Sequence, residues 1–230
     1  MKCIGLIGGM SPESTVEYYR LLNERIKEEL GGLHSAKILL YSVDFGEIEV
    51  LQHQGDWDSL TSIMVESAKN LEQAGAEMIL ICTNTMHKMA DEVAEAINVP
   101  FLHIADAAAF EIQRQNKRKV GLLGTRFTME QDFYKGRLKN THGIEVLIPN
   151  DEDREIVHNT IYGELCNGIL KESSRNEFKR IIEQMAAAGA EGVVLGCTEI
   201  PLLIKAEDVS IPVFDTTLLH AEYAAKKALN

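Results

Sequence analysis

Positive charge is scarce in this 230-residue chain, which has 23 lysines and arginines against 35 aspartates and glutamates. The net charge of −12 argues against a sequence-independent nucleic-acid surface and against a surface for anionic membranes. The chain also lacks an apolar run long enough to span a bilayer. Its apolar N-terminal stretch is too short for a signal peptide. We therefore expect a cytoplasmic protein with no nucleic-acid and no membrane partner.

Cysteine and cofactor motifs are equally sparse. None of the four cysteines, Cys3, Cys82, Cys166 and Cys197, lies in a CxxC pair or beside a histidine at metal-ligand spacing. The glycines of the segment 5–10 do not have the GxGxxG spacing, and no Walker lysine motif occurs. These absences argue against a zinc site and a nucleotide cofactor. Nothing in the chain requires a metal or pyridoxal phosphate, so we expect no cofactor.

A repeated stretch is the strongest feature that the sequence does contain. Residues 75–85, GAEMILICTNT, return at residues 189–199 as GAEGVVLGCTE. Aligned on their Gly-Ala-Glu starts, the two copies are offset by 114 positions (189 − 75). In this register Cys197 corresponds to Thr83, and Cys82 corresponds to Gly196.

The rest of the chain repeats in the same order. Gly5 and Gly121 are offset by 116 positions, and Pro100 and Pro212 by 112, within apolar runs that alternate with helical patterns. We predict an α/β fold with two pseudo-symmetric lobes, each a parallel sheet flanked by helices, and an active site in the cleft between them. The first lobe is predicted to contain residues 1–98 and about 216–230, and the second residues 99–215. Residues 99–104 are predicted to form a fourth strand. Residues 44–58 have no clear period and are predicted to form a long polar loop.

The ends of the strands are the places to look for chemistry, because open parallel sheets bind ligands off their carboxyl ends. Thr83 and Cys197 both follow an apolar strand, so two facing lobes would bring them to opposite sides of one cleft. Two such groups can remove a proton from one face of a carbon and return one to the other face, which inverts a stereocentre. A helix start follows each residue, and we expect it to favour an anion and to lower the pKa of the Cys197 thiol.

The segments Gly8-Gly9-Met10-Ser11, Thr83-Asn84-Thr85-Met86-His87 and Gly196-Cys197-Thr198-Glu199 resemble the motifs of the aspartate/glutamate racemase family, in the same order. The resemblance covers residue 2 to about residue 225. It implies cofactor-independent racemisation of an amino acid by two bases, and a homodimer. Cys197 matches the family's second cysteine base. The predicted substrate-contacting residues are Met10, Ser11, Gln52, Asn84, Thr85, Thr125, Thr198 and Glu199.

Thr83 is a departure from the family, which usually has a cysteine base at this position. The departure resembles a subgroup of racemases specific for L-aspartate and L-glutamate. A threonine hydroxyl can donate or relay a proton but is a poor base near neutral pH. We therefore expect catalysis by Thr83 and Cys197 that favours the L-substrate. Cys82 stays open as an alternative base, if a local bulge in the strand turns it towards the substrate.

The positions that would bind the substrate side chain are a second departure from the family pattern. Aspartate racemases that resemble this chain carry an arginine after the second strand and a lysine in the second lobe, which bind the distal carboxylate. Here the first position offers residues 52–54, Gln-His-Gln, and residues 161–164 contain no lysine, although Arg126 could substitute. The substrate could therefore also be a neutral amino acid, or one of a broad range of amino acids. Two other functions also stay open: a cysteine-dependent hydrolase or decarboxylase of the same superfamily, and a catalytically weak amino-acid-binding protein.

Overall fold

Seven short strands form two separate sheets, and every strand pair within them is parallel. The computed structural model describes all 230 residues, Met1–Asn230. The chain divides into two compact units, the first formed by Met1–Ile104 and His220–Asn230 and the second by Ala105–Leu219. Helices flank both sheets. The α/β class with two parallel sheets is therefore confirmed.

The first unit contains a three-stranded sheet in the order β2-β1-β3. Its elements in chain order are β1 (Ile4–Gly8), α1 (Pro12–Leu30), β2 (Ile38–Ser42), α2 (Phe45–Gln54), α3 (Trp57–Gln73), β3 (Met78–Ile81) and α4 (Ala90–Glu95). A short 3-10 helix, Thr85–Met89, lies between β3 and α4. Helix α5 (Ile104–Arg114) then leads into the second unit.

The second unit contains a four-stranded sheet in the order β5-β4-β6-β7. Its strands and helices are β4 (Lys119–Gly124), α6 (Arg126–Glu130), α7 (Asp132–His142), β5 (Glu145–Leu147), α8 (Asp151–Gly163), α9 (Glu172–Ala187), β6 (Val193–Gly196), α10 (Ile200–Leu203) and β7 (Val213–Asp215). The last helix, α11 (Thr216–Leu229), returns the chain to the first unit. None of the helices in the chain combines the length and the apolar character that crossing a bilayer requires.

The central strands are apolar because both faces of each sheet are covered. Along β1 and β3, Ile7 and Ile81 pack in the apolar cluster with α3, whereas Leu6, Leu80 and Cys82 pack with α1. Successive strand residues point to opposite faces, so neighbours in sequence enter different clusters. Fully burying each large aliphatic side chain contributes about 1.5–3 kcal/mol. These two cores fix the orientation of each residue at the end of β3.

Two local predictions are wrong. Residues 45–54, predicted as part of a long loop, form helix α2, which begins after an Asp44 cap whose side chain accepts from the Gly46 N–H at 3.0 Å. The predicted strand at residues 99–104 is only a single bridge, between Ile79 and Phe101. The corresponding segment of the second unit does form a strand, β7, which pairs with β6 over three residues.

Candidate active site

Three buried residues follow the end of strand β6. Cys197 is 7% exposed, Thr198 is also buried, and Glu199 is 3% exposed. The Sγ of Cys197 donates a hydrogen bond to Oε2 of Glu199 at 2.9 Å. The hydroxyl of Thr198 donates to the same oxygen at 3.0 Å. The second-lobe motif is thus a cluster in which one carboxylate oxygen receives both the thiol and the hydroxyl proton.

The surroundings of Cys197 raise the pKa of its thiol well above the ordinary value. Burial is the largest cause, followed by the negative charge of Glu199, by electrostatic interaction with Cys166 and by the side-chain hydrogen bond to Glu199, whereas the backbone N–H of Glu199 lowers the pKa. The N–H group at the helix start therefore lowers this pKa as expected, but the other causes outweigh it, and the expected net lowering is wrong. Helix α10 has only four residues, so its dipole is small. The free thiol is the resting form of Cys197.

Two glycines allow the strands beside Cys197 to approach closely. Gly124 at the end of β4 pairs with Gly196 at the end of β6. A Cβ atom on Gly196 would lie 2.9 Å from the carbonyl oxygen of Leu123, which is closer than real Cβ contacts allow. Thr125 follows Gly124, and its buried side chain caps α6 by accepting from the Thr128 N–H at 3.3 Å. Thr125 therefore lies at the same sheet edge as Cys197.

Thr83 occupies the corresponding place in the first unit. Ile7 of β1 pairs with Ile81 of β3, and Thr83 lies two residues after Ile81. In the same way Leu123 of β4 pairs with Leu195 of β6, and Cys197 lies two residues after Leu195. Thr83 is half-buried. The structural register of each sheet therefore leads to the same pair as the repeat in the sequence.

A buried histidine, His87, forms a hydrogen bond with the backbone of Thr83. Nε2 of His87 accepts from the N–H of Ile104 at 3.2 Å, so the ring proton is on Nδ1, which donates to the Thr83 carbonyl at 2.8 Å. The first-lobe motif contains His87, but these two backbone hydrogen bonds were not predicted from it. Its position four residues after Thr83 was the available signal, since residues that far apart share one face of a helical turn.

Cys82 lies on the other side of the strand end. Its side chain is completely buried among the residues that pack with α1, and burial raises the pKa of its thiol. Its backbone N–H donates to the Ile7 carbonyl at 2.9 Å, which continues the regular ladder between β3 and β1. Regular pairing at this position leaves no bulge that would turn Cys82 round. The contacts of Cys82 are those of a core residue.

The turn after β1 lies beside Thr83 at the same edge of the sheet. Ser11 is the N-cap of α1, and its Oγ accepts from the Ser14 N–H at 3.3 Å, with Pro12 at the first helical position. Met10 is buried and packs in the cluster that contains Met86. Asn84 and Thr85 are buried as well.

A profile of the Asp/Glu/hydantoin racemase family matches residues 7–224 of the chain. The match includes all three motifs and, in full, six of the seven strands, β2 to β7. The chain belongs to this family. Membership supports an isomerase, of the amino-acid racemase type.

Relatives of this chain carry racemase names. It is 22% identical over 226 residues to the broad specificity amino-acid racemase RacX of Bacillus subtilis, covering 93% of this chain and 92% of that one. Among solved structures, a Yersinia pestis protein proposed to be an Asp/Glu racemase is 57% identical, with a TM-score of 0.94 and full coverage of both chains. An aspartate racemase homologue from Pyrococcus horikoshii is 41% identical, with a TM-score of 0.87 and full coverage of both chains.

Within this member of the racemase family, Gln52 lies on α2 rather than on a loop. Its side chain is buried, and Nε2 lies 3.2 Å from Sδ of Met86, next to the Asn84–Thr85 segment. His53 is exposed, and its Nδ1 is 3.0 Å from the carbonyl oxygen of Glu49, one turn earlier in the helix. Of the residues at 52–54, only Gln52 is therefore packed against the first-lobe motif.

Arg126 is the cation that sequence reasoning offered for a distal carboxylate. Its side chain is exposed, and its backbone N–H donates to Nδ1 of His158 at 3.1 Å. The His158 ring packs against Tyr162, with 5.0 Å between the ring centroids. Arg126 directly follows Thr125, so its backbone lies next to a predicted substrate contact.

Proposed function

We propose that the protein is a cofactor-independent amino-acid racemase of the aspartate/glutamate type. Cys197 removes the Cα proton of the L-substrate, and Thr83 returns a proton to the opposite face. The observation that carries this proposal is that equivalent strand ends of two similar sheets hold Thr83 and Cys197. Family membership supports the reaction class, and the buried contacts of Cys82 support Thr83 over Cys82.

The remaining motif residues are proposed to hold the substrate. Asn84, Thr85 and Thr198 would bind its α-carboxylate and ammonium groups, because amide and hydroxyl groups can both donate and accept hydrogen bonds. Further contacts are proposed for Met10, Ser11, Gln52, Thr125 and Glu199. Met10 supplies an apolar surface, and the others supply polar atoms.

Because the two catalytic groups differ, the proposed reaction has unequal turnover rates in its two directions. A thiol proton can be transferred away to give a thiolate, which is a good base. The Thr83 hydroxyl can give a proton to the carbanion-like intermediate, but it rarely accepts one from a Cα. Thus L-to-D turnover uses each group in its stronger role, whereas D-to-L turnover needs Thr83 to act as the base.

Deuterium incorporation at Cα tests the reaction. Purified protein is incubated in D2O with L-aspartate, L-glutamate and a panel of neutral L-amino acids, and exchange is followed by NMR. We expect exchange with at least one of them. We also expect Cys197→Ala to reduce its rate by about 10²–10⁴-fold, the usual contribution of a general acid or base. Cys82→Ala is the matched control and should keep most of the activity.

The same incubation separates the alternative functions. A cysteine-dependent hydrolase or decarboxylase would release a new product, and a binding protein would give neither exchange nor product. Absence of exchange with every amino acid in the panel would contradict the racemase proposal. The pattern across the panel also shows whether the substrate is acidic or neutral.

The family resemblance further suggests a homodimer in the cytoplasm, and both remain proposals. Light scattering coupled to size-exclusion chromatography would measure the mass of the assembly directly. A mass of one chain at micromolar concentration would contradict the dimer.

A further inference from the structure

Glu199 is a buried carboxylate in direct contact with the proposed base. It is 3% exposed, and its Oε2 lies 2.9 Å from the Sγ of Cys197. The hydroxyl of Thr198 donates to the same oxygen at 3.0 Å, which fixes the orientation of the carboxylate. A carboxylate that accepts a hydrogen bond from a thiol is poised to receive the thiol proton.

A thiol with its proton cannot remove another proton from carbon. Cys197 therefore has to lose its proton before it can act on the substrate. In the resting protein, burial and the neighbouring negative charge of Glu199 keep the pKa of this thiol high. Ionisation into bulk water would place a second negative charge beside the carboxylate, which the low-dielectric surroundings disfavour.

We propose that Glu199 is the proton acceptor that converts the Cys197 thiol into the thiolate base. The inference rests on the proposed function and assigns Glu199 a chemical role in addition to any contact with substrate. In this step the S–H bond breaks and an O–H bond forms on Oε2. The negative charge moves from the carboxylate to sulfur, so the total charge of the pair is unchanged.

The rest of the cycle balances the protons. The thiolate takes the Cα proton and becomes a thiol again, while Thr83 gives its hydroxyl proton to the other face of Cα. Glu199 is then a carboxylic acid, and Thr83 has lost one proton. Release of the Glu199 proton to water and uptake of one by Thr83 restore the starting state. No oxidant, reductant or cofactor is needed.

The substitution Glu199→Gln is expected to make the Cys197 thiol easier to ionise and, at the same time, to slow racemisation. Glutamine has the same shape as glutamate, but its amide is uncharged and accepts a proton far less readily than a carboxylate does. The thiolate of Cys197 is titrated by its ultraviolet absorbance, taken as the difference from the Cys197→Ala form of the same variant. We expect the midpoint to fall by about one pH unit or more, because a like charge has been removed.

Racemisation should become slower even though the thiol ionises more easily. The Glu199→Gln variant lacks the acceptor, so kcat should fall by about 10²-fold with little change in KM. Glu199→Asp keeps a carboxylate and should recover part of this loss. The matched control is Glu207→Gln, because Glu207 is an exposed glutamate of the same unit. It should change neither measurement.

Either of two results would overturn the role of Glu199. One is an unchanged or higher midpoint in Glu199→Gln, because the carboxylate would then not be coupled to the thiol. The other is an unchanged or higher kcat. The thiolate titration needs no substrate, so it stands even if the wild-type protein has no racemase activity. That outcome contradicts the proposed function itself and is distinguishable from a failure of the Glu199 assignment.

Discussion

His87 shows how one buried side chain can hold the first-lobe motif in place. Its ring is 2% exposed and bonds two backbone groups, the Thr83 carbonyl at 2.8 Å and the Ile104 N–H at 3.2 Å. These bonds tie the Thr83 turn to the start of α5. His87 is therefore a positioning residue, because it acts on Thr83 through the backbone.

Replacing His87 with phenylalanine keeps a ring of similar size and removes both hydrogen bonds. We expect the free energy of unfolding to fall by about 2–6 kcal/mol, since two buried or partly buried backbone groups lose their partner at about 1–3 kcal/mol each. In urea unfolding, the control is His53→Phe. His53 makes the same contact with a carbonyl four residues earlier, but it is exposed. It should lose no more than about 0.5 kcal/mol.

A second measurement separates positioning from stability. If His87 fixes Thr83, kcat of the His87→Phe variant should fall more than KM rises at a temperature where the variant is fully folded. Equal unfolding costs for the two histidines, or an unchanged kcat, would contradict this role.

At the scale of residues, the sequence identified the two equivalent strand-end positions but not their electrostatics. The repeat placed Cys197 opposite Thr83 in register, and the pairing of the strands leads to the same two residues. The direction of the Cys197 pKa shift was predicted wrongly. It depends on burial and on a carboxylate two residues away whose side chain folds back onto the sulfur. Spacing in the sequence cannot show that contact.

At the scale of elements, one carboxylate joins two helices of the second unit. Asp106, in the first turn of α5, accepts from Nε and Nη2 of Arg137 on α7 at 2.7 and 2.8 Å. Nε2 of His142, at the end of α7, is 2.8 Å from the same carboxylate. Burial alone would raise the pKa of Asp106, but the hydrogen bonds and charges of Arg137 and His142 outweigh it and lower the pKa.

The lowered pKa predicts how the stability depends on pH. Because the folded-state pKa lies below the unfolded one, the stabilisation is fully present above about pH 4 and is lost as the pH falls through the folded-state value. We expect Asp106→Asn to cost about 1–3 kcal/mol at pH 7. The difference from wild type should shrink as the pH falls below about 4. Urea unfolding at several pH values measures it.

The control for Asp106 is an exposed ion pair. Arg20 and Glu24 on α1 are 2.5 Å apart, but their side chains are 48% and 53% exposed. Such pairs contribute at most about 0.5 kcal/mol, so Glu24→Gln should have little effect at any pH. A cost of Asp106→Asn that stays constant from neutral to acid pH would show that the carboxylate charge is not the source of the stabilisation.

Helix α2 shows where prediction at this scale fails. Only Ile48 and Gln52 of its ten residues are buried, and one of them is polar. Phe45 and Leu51 pack against the same cluster as Ile48 but are only partly buried, so the apolar stripe is short and its helical period in the sequence is weak. The long helices α3 and α9 bury five residues each and could be predicted from their spacing. The periodic signal therefore depends on how much of a helix faces the core.

At the scale of the whole molecule, duplication made the fold predictable. Two copies of one layout give two parallel sheets with the central strands β1 and β4, each flanked by its neighbours in the same arrangement. The copies then differ where the chemistry is expected, with a threonine in one and a cysteine in the other. Two similar lobes with unlike groups predict a racemase whose two directions have unequal maximal rates.

The most direct test compares kcat from the L-enantiomer with kcat from the D-enantiomer of the best substrate, using initial rates measured by chiral chromatography. The equilibrium constant for racemisation is unity, so kcat/KM must be equal in the two directions. With Cys197 as the base for L and Thr83 as the base for D, we predict a larger kcat and a larger KM for the L-enantiomer. Equal kcat values for the two enantiomers would contradict the account.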